Sequence, residues 1–386
     1  MRLDEQAPWT ELPSAGYAVR DGAIVAWRLP TPDAGPNTPF RILGAHTDSP
    51  GLRIKPRPDS STGGWKQLGV EVYGGILNNT WLDRDLGIAG RVVADDGTTS
   101  LVNVAEPIAR IPQLAVHLDR EVNSKGLKLD PQQHLSPVWG VGSSTPGEFA
   151  SWIGEQAGID GAAAWWDLCL YDVQSAAIIG SDHSLLASGR LDNQVSCWAA
   201  TTALMESRPA NTISVIVFND HEEVGSASAV GAAGPFLEAV LSRHVSARGG
   251  TNDDLQRAIA GSSCISADNA HAIHPNYPDR HEPEHSPIVN AGPALKVNAN
   301  QRYATSATTA ASFQRACESA GVPWQVFVSR NNMPCGSTIG PITATRLGIP
   351  TADVGVPQLS MHSAREVCGV DDPIHLTKAL TAFLGN

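Results

Sequence analysis

The amino-acid sequence predicts an α/β protein carrying a β-rich insertion, and three observations carry that expectation. Short β-branched runs end abruptly in polar or glycine-rich residues; helix-compatible stretches alternate with those runs; and a middle segment punctuated by Pro and Gly, which holds Trp139, Trp152, Trp165 and Trp166, breaks the alternation. The runs are Arg41–Ala45, Thr212–Phe218, Ser263–Ala267 and Thr351–Val356. Continuous apolar runs of this length read as strands buried on both faces, as in a parallel sheet. Helices are expected over Asn193–Met205, Pro235–Arg248, Ala304–Ala320 and Ile374–Leu384. From Trp81 to Ala177 the strand candidates are shorter: Gly90–Val93, Ser100–Val104 and Ala176–Ile179. The chain thus divides into a discontinuous domain, 1–80 and 181–386, and an inserted β-rich domain, 81–180. A length of 386 residues suits one large domain or two ordinary ones.

Composition narrows the function. With 42% hydrophobic and 17% charged residues, a disordered chain is excluded. Lys and Arg total 27 against 39 Asp and Glu, a net charge of −12, which argues against a nucleic-acid partner. It also means that an anionic substrate would need local positive charge to enter. The six cysteines form no C-x-x-C pair, and their scatter fits free thiols in a reducing compartment. The start, M-R-L-D-E-Q-A-P-W, has no apolar core of a signal peptide, and no stretch approaches the roughly 18 apolar residues of a membrane span. These features together predict a cytoplasmic protein with no membrane partner.

In an open α/β sheet, ligands bind outside the carboxyl ends of the strands. The polar residues at those ends are His46 with Asp48, the pair Glu222-Glu223, Asp268 and a late His362; Asp192 adds an acid before a helical stretch. Such a set is the inventory of a two-metal site, suited to zinc and open to manganese or cobalt. His46 would ligate through one ring nitrogen while Asp48 accepts the other N–H. Adjacent residues in extended chain point to opposite sides, so one glutamate could bind metal while the other faces a water as general base. Taken singly, Asp192 and Asp268 read as helix N-caps, and Lys296 as a surface lysine on a strand edge.

Other signals lead nowhere. His271, His274, His281 and His285 crowd one segment, but Pro275, Pro278 and Pro283 prevent a continuous helix, so an ordered loop is expected there. No phosphate-binding G-x-x-x-x-G-K-[ST] and no G-x-S-x-G elbow occurs.

The segments G-A-H-T-D-S-P-G-L-R-I-K-P, R-L-D-N, N-D-H-E-E-V-G-S, A-D-N-A-H-A-I-H-P-N-Y, L-K-V-N-A-N-Q-R-Y-A-T and M-H-S-A-R-E resemble, in order, the aspartyl aminopeptidase family of cytosolic di-zinc aminopeptidases. The resemblance implies a three-layer α/β/α sandwich with a mixed, mainly parallel sheet, and an inserted domain used in dimerisation. It implies one zinc on His46, Asp192 and Asp268 and a second on Asp192, Glu223 and His362, with Asp192 bridging. Glu222 would be the general base and Asp48 would orient His46. The Asp192–Asn193 peptide would be cis. His117 would reach a neighbouring subunit's active site, while Lys296 and Tyr303 would line the substrate pocket. The implied activity releases N-terminal Asp or Glu from peptides, with Lys296 as the cation that receives the acidic side chain. Family members assemble from dimers into tetrahedral dodecamers. They also carry a helical stretch before the segment with which this sequence opens, and its lack would bear on oligomer contacts rather than on the metal ligands. Two alternatives follow. A di-metal hydrolase of neutral aminopeptidase, carboxypeptidase or deacylase specificity would share the ligand set and differ in the pocket. A non-enzymatic assembly protein would have lost ligands, and none is missing here.

Overall fold

A computed structural model describes residues 1–30 and 34–385. They divide into two compact units.

The first unit comprises Met1–Asp48, Ile178–Met361 and the C-terminal stretch from Val367. Its frame is an eight-stranded sheet in the order Ala15–Arg20, Ala23–Arg28, Ile213–Asn219, Phe40–His46, Ser263–Ala267, Thr351–Gly355, Ala294–Val297 and Gln325–Val328. The central four strands run parallel. The first two strands join as an antiparallel hairpin, and Ala294–Val297 runs antiparallel to Thr351–Gly355, so the sheet is mixed. All seven residues of Ile213–Asn219 are buried, as a strand covered on both faces requires. On one face the helices Leu191–Glu206, Ala307–Ala320 and Asp372–Gly385 pack around Leu43, Phe313 and Leu380. On the other, Phe236–Ala247 and Asn252–Ala260 pack around Trp27, Phe40 and Val240. Capping boxes at Thr251 and Ser306 begin two of these helices by satisfying backbone N–H groups that have no partner inside the helix. The strand foreseen at Ala176–Ile179 forms as Ala177–Ile179, but it pairs into a smaller five-stranded sheet rather than into the β-rich insertion.

The second unit comprises Ser49–Ala177 with the short stretch 362–366. Its six strands close into a barrel in the order Gly51–Thr62, Trp65–Tyr73, Val138–Val141, Thr99–Arg110, Asp85–Val93 and Trp165–Asp172. Closure leaves no open sheet edge. Leu52, Leu68, Leu86, Ile88 and Leu168 fill the core, with Phe149 from the Glu148–Gln156 helix. Phe149 stacks edge-on against Trp139 and Trp166, which accounts for the tryptophan enrichment of this segment. The unit begins at Ser49 rather than at residue 81, so the strands Gly51–Thr62 and Trp65–Tyr73 belong to it. Only Ser49 and Pro50 separate Asp48 from the Gly51–Thr62 strand, a junction too short to read as a linker in the sequence. Among the described residues no helix is long and apolar enough to cross a membrane.

Candidate metal centre

Two parallel strands and one helix start bring the first ligand set together. His46 ends the Phe40–His46 strand, Asp268 follows Ser263–Ala267, and Asp192 is the second residue of Leu191–Glu206. His46 Nε2 lies 3.5 Å from Asp192 Oδ1 and 3.7 Å from Asp268 Oδ1. All three side chains are buried. One imidazole nitrogen and two carboxylate oxygens within 4.8 Å of one another form a donor set that fits zinc.

The tautomer of His46 follows from its other nitrogen. Nδ1 donates to the Asp48 carbonyl at 3.0 Å and lies 3.3 Å from Asp48 Oδ1, so Nε2 is the nitrogen turned toward the two aspartates. Asp48 has a second task that the sequence did not suggest. Its carboxylate accepts the backbone N–H groups of Glu222 (3.1 Å) and Glu223 (3.0 Å), locking the acidic pair beside the cluster. Those glutamates are not in extended chain: Glu222–Val224 form a 3₁₀ turn entered through His221 at φ 61°. The turn aims both carboxylates the same way, and each brings an oxygen within 4.8 Å of a ring nitrogen of His46. Glu223 also brings one equally close to an oxygen of Asp192.

Two asparagines that the sequence reading passed over hold the aspartates in place. Asn193 Nδ2 donates to the Ala267 carbonyl at 2.9 Å, and Asn269 Nδ2 donates to the Leu191 carbonyl at 2.9 Å. The residue after each aspartate therefore bonds the residue before the other. Asn269 Nδ2 also donates to Gln358 Oε1 at 2.8 Å. The Asp192–Asn193 peptide is cis, as expected. Neither aspartate is a simple N-cap: Asp192 lies just inside its helix with non-helical torsions, and Asp268 leads into the short strand Ala270–His271. Gly355 permits the approach, since a Cβ there would lie 1.9 Å from the Asp268 carbonyl oxygen. Beneath His46, the Cys197 thiol donates to the His46 carbonyl at 3.0 Å, and burial pushes that thiol up to about 12.

Electrostatics agree with the donor set. Burial opposes a charge on His46, but the carboxylates of Asp192, Asp268 and Asp48 outweigh it and hold its pKa well above the usual imidazole range. So many carboxylates in one buried place call for a cation. Burial, and then the charge of Asp268, pushes Glu222 up to about 7.

Lys296 is not on the surface. It is 2% exposed; its ammonium donates to the Asn269 carbonyl at 3.1 Å, lies 3.7 Å from Asp268 Oδ2, and sits 5.1 Å from the Tyr303 ring centroid. Tyr303 is buried, and that burial raises its hydroxyl's pKa. His271, His281 and His285 line a cavity of about 220 Å³ with Tyr303, Phe327 and Arg330. Among the described residues none of the four clustered histidines joins a candidate metal group. His281 accepts the His274 N–H, and His285 pairs with Glu282, so the loop is ordered by its own contacts.

His362 and His117 belong to the second unit. His362 Nδ1 donates to the Gly75 carbonyl at 2.9 Å, which leaves the lone pair on Nε2. His117 is exposed and stands among exposed Leu114, Val116 and Leu118.

Comparison with known proteins places this geometry. The family described as "Aminopeptidase I zinc metalloprotease (M18)" matches residues 1–384. The "Probable M18 family aminopeptidase 2" of Streptomyces coelicolor is 53% identical over 389 residues, covering 99% of this chain and 90% of that protein. Among solved structures, a chain in the cryo-EM structure of the Ape4 and Nbr1 complex is similar with a TM-score of 0.94 and 35% identity, over 99% of this chain and 79% of that one. The S. cerevisiae mApe1 dodecamer is similar with a TM-score of 0.84 and 29% identity, over 99% and 88%.

Proposed function

The chain belongs to the M18 family of zinc metalloaminopeptidases, and from that premise we propose that it releases N-terminal residues, preferentially Asp or Glu, from peptides at a two-zinc centre with Glu222 as general base. The observation that carries this reading is the convergence of His46, Asp192 and Asp268 beside the Glu222-Glu223 turn. His46, Asp192 and Asp268 would hold one zinc. Asp192, Glu223 and His362 would hold a second, with Asp192 shared; the bond from His362 Nδ1 to the Gly75 carbonyl, which fixes the ring, supports this. When bound, zinc supplies Lewis acidity that polarises a carbonyl and acidifies a water.

The chain's own residues do the rest. Glu222 takes the proton of the attacking water as its oxygen bonds the scissile carbonyl carbon, then passes that proton to the leaving amine as the C–N bond breaks. Asp48 keeps His46 in its ligating tautomer and anchors the turn that carries Glu222. The acidic ligand cluster would draw the substrate's free α-ammonium, which accounts for cleavage from the end of a chain. Lys296, with Tyr303 beside it, is the proposed cation for an acidic first side chain; its burial strengthens its attraction for any anion that reaches it. The barrel unit would serve self-association. A relative is solved as a dodecamer, and His117 on its exposed apolar segment would reach a neighbouring subunit. No disulfide joins the six cysteines among the described residues, which fits a cytoplasmic setting.

Glu222→Gln tests the mechanism: turnover should vanish while zinc content stays near wild type, and retained activity removes Glu222 from its role. A kinetic comparison of Asp-, Glu- and Leu-anilides tests the specificity, and faster Leu turnover would contradict it.

A further inference from the structure

The ladder of charge behind the metal cluster has one member with no task in the chemistry above. Lys296 and Asp353 face each other as register partners on the antiparallel strands Ala294–Val297 and Thr351–Gly355. Asp353 is fully buried. Its carboxylate accepts the Ala304 N–H at 2.6 Å and the Thr338 hydroxyl at 2.6 Å, and its own N–H donates to Thr305 Oγ1 at 2.9 Å. A Cβ at Gly340 would lie 2.3 Å from Asp353 Oδ1, so only glycine lets the carboxylate rest on the start of the Ile339–Leu347 helix. On the far side of Lys296 stands Asp268. Its Oδ1 is the oxygen turned toward His46 Nε2, and its Oδ2 is the one 3.7 Å from the Lys296 ammonium.

We propose that Asp353 is a positioning residue for the metal centre. It holds the Lys296 ammonium against the outer oxygen of Asp268, so that Asp268 presents Oδ1 to zinc in one orientation. The physical reason is the alternation of sign. A buried ammonium next to a metal ligand is tolerated only when a second anion compensates it, and a carboxylate this deep persists only when it is fastened on several sides. Asp353 meets both conditions, since it is the buried register partner of Lys296 and is pinned by Ala304, Thr338 and the Ile339–Leu347 helix start. Partners of this kind behind a metal ligand commonly change metal affinity 10- to 100-fold, roughly, when removed.

The inference rests on Asp268 being a zinc ligand, and the test separates the two. Zinc affinity of the metal-free full-length protein is measured by competition with a chelating dye for wild type, Asp353→Asn, Lys296→Met, the double variant and Asp268→Asn. The two single variants should each weaken zinc binding about tenfold or more, and the double should be no weaker than Lys296→Met alone, because the second link acts only through the first. A purely structural Asp353 would lower the melting temperature of the metal-free protein and leave zinc affinity unchanged; that result overturns the proposal, as do effects that multiply in the double variant. If Asp268→Asn loses zinc while Asp353→Asn and Lys296→Met keep it, the ladder is wrong and the ligand stands. If all three keep it, the ligand assignment falls as well. Should Asp353→Asn fail to fold, Lys296→Met decides, and wild-type affinity there refutes the proposal.

Discussion

The paired asparagines make the most demanding prediction for the metal centre. Asn269→Ala removes both hydrogen bonds of Nδ2 and leaves the Leu191 carbonyl and Gln358 Oε1 buried without that donor. A buried acceptor left unsatisfied costs about 1–3 kcal/mol, so two predict a loss of about 2–6 kcal/mol. Asn193→Ala removes one bond, to Ala267, and should cost about 1–3 kcal/mol. The two bonds tie the same two segments, the start of the Leu191–Glu206 helix and the end of the Ser263–Ala267 strand. Once either is cut, the other holds less, so the double variant should cost less than the sum, by an interaction energy of about 0.5–3 kcal/mol. Urea denaturation of the metal-free protein, followed by circular dichroism across the four members of the cycle, measures this. Zinc affinity should fall in the same order, because the clamp fixes the separation of Asp192 and Asp268. Strict additivity, or single losses below about 0.5 kcal/mol, would show that the segments are held by packing alone and that the clamp is incidental.

Two further outcomes follow from buried groups away from the ligands. His244 is fully buried among Trp9, Trp27 and Phe40, and burial, with Arg248 second, pushes its pKa from 6.5 down to about 3. Below pH 6.5 the unfolded chain binds a proton that the folded chain refuses until about pH 3, so stability falls with pH across that window by about 1.4 kcal/mol per unit. His244→Leu should therefore lose less stability than wild type between pH 7 and 4.5, by about 3 kcal/mol in urea melts; equal pH slopes would contradict the account. Gly355→Ala places a methyl group 1.9 Å from the Asp268 carbonyl and should displace that aspartate, abolishing zinc binding in a chelator competition, whereas wild-type affinity would show that the strand yields instead.

What the sequence reveals of this site is what lies next to a strand in the chain. A β-branched run followed by H-T-D, N-D-H-E-E or A-D announces polar groups at a sheet's carboxyl edge, and His46, Glu222, Glu223 and Asp268 stand there. The details that decide the chemistry depend on pairs far apart in the chain. Asp48 meets the Glu222 and Glu223 amides across more than 170 residues. The turn it secures starts at a histidine with positive φ, which no local pattern foretells. The clamp is half visible, since both metal-ligand candidates are followed by Asn, as L-D-N and A-D-N. Only the seating of the helix start beside the Ser263–Ala267 strand shows that each amide reaches the other's backbone. Lys296 shows the same limit. L-K-V reads as a strand with one side chain turned out to water, yet the neighbouring strand pairs Lys296 in register with Asp353, and both side chains are buried. Local sequence can place a charge on a strand; whether that charge faces water or a metal ligand is settled by which strand lies beside it.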